Sequence, residues 1–176
     1  MAVRTDSNLE PYTGTWLLDP DLTRITFQAR LLLVIRAAGT VRAISGEAEV
    51  APSGEGTGRL IIDPGSVDTG NAKRDAHLRS SDLFDVASYP EIVFTATSAT
   101  MVAADQIEVN GHVVVQERTT PLTLSGTVTV KGNSATLIAT VPVGKRILGI
   151  KKLNLAKAKI HVSARFVRTG TAATTA

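Results

Sequence analysis

The side chains of this sequence that are suited to acid–base chemistry are few, and one pair stands out. Asp75 and His77 lie two residues apart and could form an acid/base pair. Alternatively, Asp75 caps a short helix, while His77 packs or hydrogen-bonds at the mouth of a β-barrel. His112 and His161 fall on the polar faces of predicted strands, which favours a surface location. None of the three histidines has the spacing of a zinc site, so we predict no catalytic residue, no metal and no cofactor.

Two further motifs resemble catalytic or phosphate-binding sequences only superficially. Ser66 lacks the Gly-x-Ser-x-Gly elbow of serine hydrolases. Gly54, Gly56 and Gly58 are spaced as in a phosphate loop, but a predicted strand follows them and a P-loop lysine does not. We interpret this stretch as a hairpin turn. The sequence contains no cysteine, which excludes thiol catalysis, disulfides and cysteine metal sites.

Basic residues are scattered along the chain, and the net charge is +3. Lys73, Arg74 and Arg79 flank a predicted helix and could hold a phosphate or another polar head group, or simply face water. Aromatic residues make up 4% of the sequence, which is low for a protein that stacks nucleic-acid bases. We therefore predict that nucleic acid is not a partner.

One block, from Asp75 to Phe94, has a convincing helical period among segments that alternate apolar and polar residues. Leu78, Leu83 and Phe84 can share one side of a short helix, and either Asp75 or Ser80 could cap it. A proline at position 90 ends any helix. The block predicts one short helical insertion around residues 71–88.

Strand-like alternation recurs on both sides of this block, and turn residues separate the segments. The predicted strands cover residues 25–33, 41–50, 59–63, 92–100, 106–115, 122–130, 136–141 and 158–167. This pattern indicates an all-β antiparallel barrel or sandwich. We predict one domain over residues 14–168, with a flexible N-terminus at residues 1–13 and a flexible tail at residues 169–176.

Period-two alternation places one face of each strand in the interior and the other in water. An eight-stranded barrel has an interior just wide enough to be filled by side chains or to hold one small ligand. Several interior candidates are small, among them Ala29, Gly111, Gly126 and Ala164. From this pattern alone, a cavity and a filled core both stay open.

Residues 1–12 contain no apolar signal region, and no stretch approaches about 18 consecutive apolar residues. We expect a soluble cytoplasmic protein without stable membrane insertion. A homodimer is compatible with the sequence, although nothing in it decides the oligomeric state.

Several motifs resemble those of a known family in order and spacing. They are Trp16-Leu17-Leu18-Asp19-Pro20, Ile25-Thr26-Phe27, Ile62-Asp63, Ser66-Val67-Asp68-Thr69, Asp75, His77-Leu78, Ser80, Phe84-Asp85, Tyr89-Pro90 and Phe94. From about Thr15 to Arg168 the chain resembles the YceI-like, polyisoprenoid-binding family of lipocalin-like barrels. It departs from that family at Leu31, where relatives often have histidine, and at Leu148, where an aromatic residue is usual.

The resemblance implies an all-β, antiparallel, lipocalin-like eight-stranded barrel with one helical insertion. It also implies a non-catalytic carrier of an elongated apolar lipid, such as a polyisoprenoid, an isoprenoid quinone or a fatty-acyl derivative. The apolar residues that we predict to line its cavity are Trp16, Phe27, Leu31, Leu33, Ile62, Leu78, Phe84, Ile92, Phe94, Val113, Val115, Leu124, Ile160 and Val162. Lys73, Arg74 and Arg79 are the predicted head-group contacts, and Leu31 would make the cavity more apolar than in relatives.

Two alternatives to a lipid carrier remain. An isomerase or hydrolase could use the cavity for a small apolar substrate, which would require polar groups such as His77, Asp75 or Glu91 to converge inside it. A ligand-free interaction module would instead have a packed interior and a large apolar surface patch.

Overall fold

Eight antiparallel strands form a closed barrel in a computed structural model of the protein. The structure describes residues 9–31 and 35–170, without the side chains of residues 31 and 35. The strands are β1 (Gly14–Leu31), β2 (Ile35–Val50), β3 (Gly56–Asp68), β4 (Ile92–Met101), β5 (Gln106–Val115), β6 (Arg118–Lys131), β7 (Ser134–Val143) and β8 (Leu155–Gly170). Each strand pairs with the next, and β1 pairs with β8 to close the sheet. The predicted fold class is confirmed.

Two short α-helices lie outside the strands: α1 (Ala72–Arg79) precedes β4, and α2 (Lys145–Leu148) precedes β8. The prediction for α1 was too long, since the chain turns from Ser80 onward and Leu83 and Phe84 lie beyond the helix. Asn71, and not Asp75, caps its N-terminus by accepting a hydrogen bond from the Arg74 amide at 3.0 Å. Ser80 does lie at a cap, but at the C-terminal end. The second helix was not predicted, because four residues are too few to show a period.

Residues ahead of β1 also pack against the barrel. A 3₁₀ helix at Glu10–Tyr12 precedes β1, and Leu9 is buried in the hydrophobic core. A single apolar residue in a polar stretch gives no periodic signal, so the sequence did not identify it as a core position. None of the helices in the described part of the chain is long and apolar enough to cross a membrane.

Because each strand pairs with its successor, the connections alternate between the two ends of the barrel. We call the end that carries the β1–β2, β3–β4, β5–β6 and β7–β8 connections the mouth end, and the other the far end. Both α-helices lie in mouth-end connections, whereas the chain enters at the far end through residues 9–13. The longer connections therefore gather at one opening of the barrel.

The far end is filled with side chains. Trp16 is buried there, and its indole nitrogen Nε1 donates to the carbonyl oxygen of Tyr12 at 2.9 Å. The guanidinium carbon of Arg168 lies 4.5 Å from the centroid of the Trp16 ring, a cation–π geometry. Leu9 and Met101 are also buried in this half. Trp16 therefore closes the far end of the barrel.

We expect Trp16→Ala to lower the free energy of unfolding by about 3–5 kcal/mol, because it removes a buried aromatic ring and leaves Arg168 without its partner. Urea unfolding measures the loss. Leu22→Ala is the control, since Leu22 is 61% exposed and should change stability by no more than about 0.5 kcal/mol. Equal effects of the two substitutions would contradict the role of Trp16 in closing the barrel.

Candidate functional site

The mouth half of the barrel encloses a cavity of about 370 Å³. This volume lies within the range of about 300–1,000 Å³ that is typical of ligand sites. Its walls are apolar side chains that point inward from all eight strands, together with side chains of α1, α2 and the loops beside them. Exposed residues such as His77 and Lys152 also border it, so the cavity reaches the surface at the mouth end.

The cavity exists because small residues replace large ones on one part of the wall. Ala29 of β1 lies directly opposite Ala37 of β2 on one side and Ala158 of β8 on the other. All three side chains line the cavity. One step deeper, Phe27 lies opposite Gly39, where an added Cβ would come within 2.8 Å of the Phe27 ring. The three alanines therefore leave this part of the wall without large side chains, whereas the missing side chain of Gly39 makes room for the Phe27 ring.

Most of the apolar residues that the sequence singled out lie around this cavity. They are Phe27, Ile62, Leu78, Phe84, Ile92, Phe94, Val113, Val115, Ile160 and Val162. Trp16 does not line it, because that residue closes the far end. Leu124 also does not line it, since it lies opposite Val109 and packs into the hydrophobic core. The side chain of Leu31 and the whole of Leu33 lie outside the described residues.

Residues 69–91, which we call the α1 segment, cover one side of the mouth. Arg79 holds the segment against β3 by donating from Nε to the carbonyl oxygen of Gly65 at 2.7 Å and from Nη2 to that of Val67 at 2.8 Å. The buried carboxylate of Asp75 accepts from the amide and the hydroxyl of Thr69, at 3.0 and 2.6 Å. These bonds satisfy the buried polar groups of the segment and fix its position.

The same segment is tied to the β5–β6 hairpin. Gln116 Nε2 donates to the carbonyl oxygen of Leu83 at 2.7 Å. A hydrogen bond to Glu117 raises the pKa of the Tyr89 hydroxyl, with smaller contributions from burial and from the charges of Glu117 and Asp85. The α1 segment therefore bridges β3 and the hairpin across the mouth.

Among the described side chains of the cavity wall, polar ones occur at the mouth end and at no deeper position. They are Thr69, Arg74, His77, Lys152 and Asn154. Of the three predicted head-group residues, only Arg74 is among them. It also donates to the Thr69 hydroxyl at 2.8 Å and to its carbonyl oxygen at 3.0 Å.

The other two predicted head-group residues are placed differently. Lys73 is exposed and does not line the cavity. The guanidinium group of Arg79 donates its hydrogen bonds to two backbone carbonyl oxygens of β3 and is not part of the cavity wall. His77, which was considered for this position from the sequence, lines the mouth instead, together with Lys152 and Asn154, which were not predicted from the sequence. A charged residue in a loop belongs to no periodic pattern, so the sequence gives no signal for its position. Closure of the barrel is what brings Lys152 beside the α1 segment.

An ion pair joins the two sides of the mouth. Lys152, in the loop between α2 and β8, donates to the carboxylate of Asp82 in the α1 segment. The hydrogen bond and the positive charge of Lys152 lower the pKa of Asp82 below its ordinary value. Because both side chains are largely exposed, solvent screens the pair and its contribution to stability is small.

The cavity wall offers little for catalysis. The described side chains that line it include no carboxylate: Asp75 is bonded to Thr69 below the surface, and Glu91 is exposed away from the wall. The part of the chain that the structure describes also holds no cluster of three or more potential metal ligands. The arrangement is suited to enclosing an apolar molecule that has a polar group at one end.

Several apolar wall residues were also not predicted from the sequence. Val141 and Val143 of β7, Leu155 of β8 and Ile25 of β1 line the cavity. Strand alternation was a sufficient signal for Val141 and Ile25. Ile147, Leu148 and Leu153 reach the cavity from the α2 region, where no strand period exists to identify them.

This architecture, a closed up-and-down barrel around an apolar cavity that is open at one end, defines the lipocalin-like class of barrels. Comparison with known proteins identifies the family. The YceI-like domain matches residues 16–169, and the chain belongs to that family.

Individual relatives match more distantly. Protein YceI of Salmonella arizonae is 38% identical over 65 residues, which make up 37% of this chain and 34% of that protein. The aligned segment thus spans about a third of the length of this curated relative.

Two solved structures share the fold. Burkholderia cenocepacia BcnA superposes with a TM-score of 0.74 over 84% of this chain and 98% of that chain, at 16% identity. A polyisoprenoid binding domain from Saccharophagus degradans, implicated in plant cell wall breakdown, gives a TM-score of 0.67 over 88% and 98%, at 14% identity.

The lowered pKa of Asp82 gives a prediction for the mouth. Lys152→Met should raise it toward the ordinary value near 3.8, whereas Lys151→Met should leave it unchanged. A carboxylate with a lowered pKa contributes stability above its unfolded-state pKa and loses it as the pH falls through the folded-state value. The ion pair should therefore persist at neutral pH and break only in acid below about pH 4. NMR titration of the Asp82 carboxyl measures this, and identical midpoints in both variants would contradict the pairing.

Proposed function

We propose that the protein is a non-catalytic lipid carrier. The mouth half of the barrel encloses the apolar chain of one lipid, and the polar head group stays among Arg74, His77 and Lys152. The observation that carries the proposal is the distribution of polar and apolar side chains along the cavity: in the described structure its depth is apolar, and the polar side chains of its wall lie at the open end.

Burial of the chain supplies the binding free energy. Removing apolar surface from water contributes about 25 cal/mol per Å², or about 0.8 kcal/mol for each buried methylene. This term does not depend on the detailed chemistry of the chain, so specificity for chain type should be loose. Specificity for length should be stricter, because the filled far half around Trp16 ends the space that a chain can enter.

The class of lipid follows from the cavity and from the relatives together. The Saccharophagus degradans domain that shares this fold is described as polyisoprenoid binding, which supports a polyisoprenoid or isoprenoid quinone for this protein too. A fatty-acyl derivative has the same combination of apolar chain and small polar head. The two cationic side chains at the mouth, Arg74 and Lys152, favour a head group that carries negative charge, which would compete with Asp82 for Lys152.

Catalysis in the same cavity is the weaker candidate. An isomerase or hydrolase would need an acid and a base near the bound substrate. No carboxylate lines the described wall beside His77: the nearby Asp82 is paired with Lys152, and Asp75 hydrogen-bonds to Thr69. The cytoplasmic location and the homodimer expected from the sequence stay predictions, which cell fractionation and light scattering would test.

Filling the cavity should abolish lipid uptake. Ala37→Phe places a ring against Ala29 inside the cavity, whereas Ala38→Phe places the same ring on the outer face of β2. We expect organic extracts of the purified wild-type protein and of Ala38→Phe to contain an apolar lipid by mass spectrometry. Extracts of Ala37→Phe should contain less than a tenth as much. Comparable thermal unfolding of the two variants would show that both fold. Equal lipid content in both, or a wild-type protein that neither carries nor takes up lipid, would refute the carrier function.

The contact between Lys152 and a charged head group can be tested separately. Lys152→Met should weaken the binding of a polyprenyl phosphate by about tenfold, the effect of losing one charge-assisted hydrogen bond. Binding of the matching uncharged polyprenol should change little. Displacement of a fluorescent fatty acid gives both affinities, with Lys151→Met as the control. The same loss for both ligands would show that Lys152 supports the fold of the mouth and does not contact a head group.

A further inference from the structure

The charges of this chain are separated between the two ends of the barrel. The described residues of the mouth end (27–31, 35–39, 64–96, 111–122 and 139–159) contain twelve lysine and arginine residues against six aspartate and glutamate residues. The other described residues contain six basic against nine acidic ones. The modest net charge of +3 therefore conceals an excess of six positive charges at the mouth end and of three negative charges elsewhere.

Half of the basic residues at the mouth end come from the stretch that includes α2 and the start of β8. Residues 144–159 contain no acidic residue, and their six basic side chains are all exposed. In the described structure, Lys152 alone of the six forms an ion pair, with Asp82. The positive charge of this stretch is thus largely uncompensated.

A second basic group lies on the outer face of the barrel beside the opening. Arg30 of β1 is directly opposite Arg36 of β2 on one side and Lys157 of β8 on the other. All three side chains are exposed. Like charges that are directly opposite across strands repel and destabilise a sheet. These repelling charges lie beside the cavity opening. A partner of opposite charge that bound there would relieve the repulsion.

We propose that the mouth end docks on an anionic lipid membrane. The docking surface, which we call the basic rim, consists of Arg30, Arg36, Lys145, Arg146, Lys151 and Lys157. Exposed lysine and arginine residues bind anionic lipid surfaces through their summed charge. The negative far end would turn away from such a surface, so the field of the whole molecule orients the opening toward it.

A membrane fits the basic rim better than a nucleic acid does. The rim lies along one side of the opening of an apolar cavity, so docking would bring that opening to the source of an apolar ligand. Aromatic residues, on which single-stranded nucleic acids stack, are 4% of the chain. The purpose of docking rests on the carrier function proposed above, but the docking itself can be measured without any cargo.

Vesicle binding tests the basic rim. The triple variant Arg30→Gln, Arg36→Gln, Lys157→Gln is compared with a control that removes the same charge from exposed positions away from the mouth, Arg24→Gln, Arg59→Gln, Lys131→Gln. Cosedimentation is measured with vesicles of phosphatidylcholine alone and of phosphatidylcholine with about a third phosphatidylglycerol. Because each basic residue near an anionic surface contributes about fivefold to binding, the rim variant should lose about 100-fold. The control should lose less than tenfold.

We expect wild-type binding to require phosphatidylglycerol and to disappear in high salt, as electrostatic docking demands. The rim variant should unfold at the same temperature as the wild-type protein or higher, because three mutually repelling charges are gone. Its extracted lipid should be unchanged, so a failure of docking is distinguishable from a failure of lipid carriage. Equal losses in the two triple variants, no binding of the wild-type protein to anionic vesicles, or stronger binding to duplex DNA than to those vesicles would overturn the proposal.

Discussion

The hydrogen-bonded ladder between β1 and β8 is the interaction on which the other features depend. It joins the first and last strands, and so converts an open sheet with two exposed edges into a barrel that has an interior. In its register Ile25 lies opposite Val162 and Phe27 opposite Ile160, and all four side chains line the cavity. Without this closure the same apolar faces would have no enclosed space to share. The α2 loop that ends in β8 would also not come near the α1 segment.

The same register determines both faces of the wall at the mouth. Successive residues of a strand point to opposite sides, so Ala29 faces the cavity while Arg30 faces water. Their neighbours on β2 and β8 follow the same alternation, which gives a row of three alanines inside and a row of three basic residues outside. A slip of one residue would place arginine in the cavity and alanine in water. The empty space and the positive surface around it are therefore consequences of one pairing, and they lie side by side for that reason.

Much of this site could be predicted from particular residues. Phe94, Val113 and Ile160 were identified as wall residues because each lies on the apolar side of an alternating strand, and they line the cavity. Arg79 shows where such reasoning stops. In the sequence, Arg79 is one of three basic residues near a predicted helix, and no pattern distinguishes its role from those of Lys73 and Arg74. In the structure its guanidinium is bonded to two carbonyls of β3, and Lys152, some seventy residues further along, stands at the mouth beside Asp82.

The sequence by itself determined the number of strands, the face that each one buries and the family to which the chain belongs, because period-two alternation and motif spacing are local properties. It left open whether the interior is filled or empty, and the structure shows that both descriptions apply, to different halves. Trp16, Arg168 and Leu9 fill the far end, while Ala29, Ala37 and Ala158 leave the mouth half hollow. Only the tertiary structure decided this, because the volume left inside a barrel is a sum over side chains from eight strands. Residues such as Ala29 and Ala158 are distant in the chain and become neighbours only when β1 meets β8.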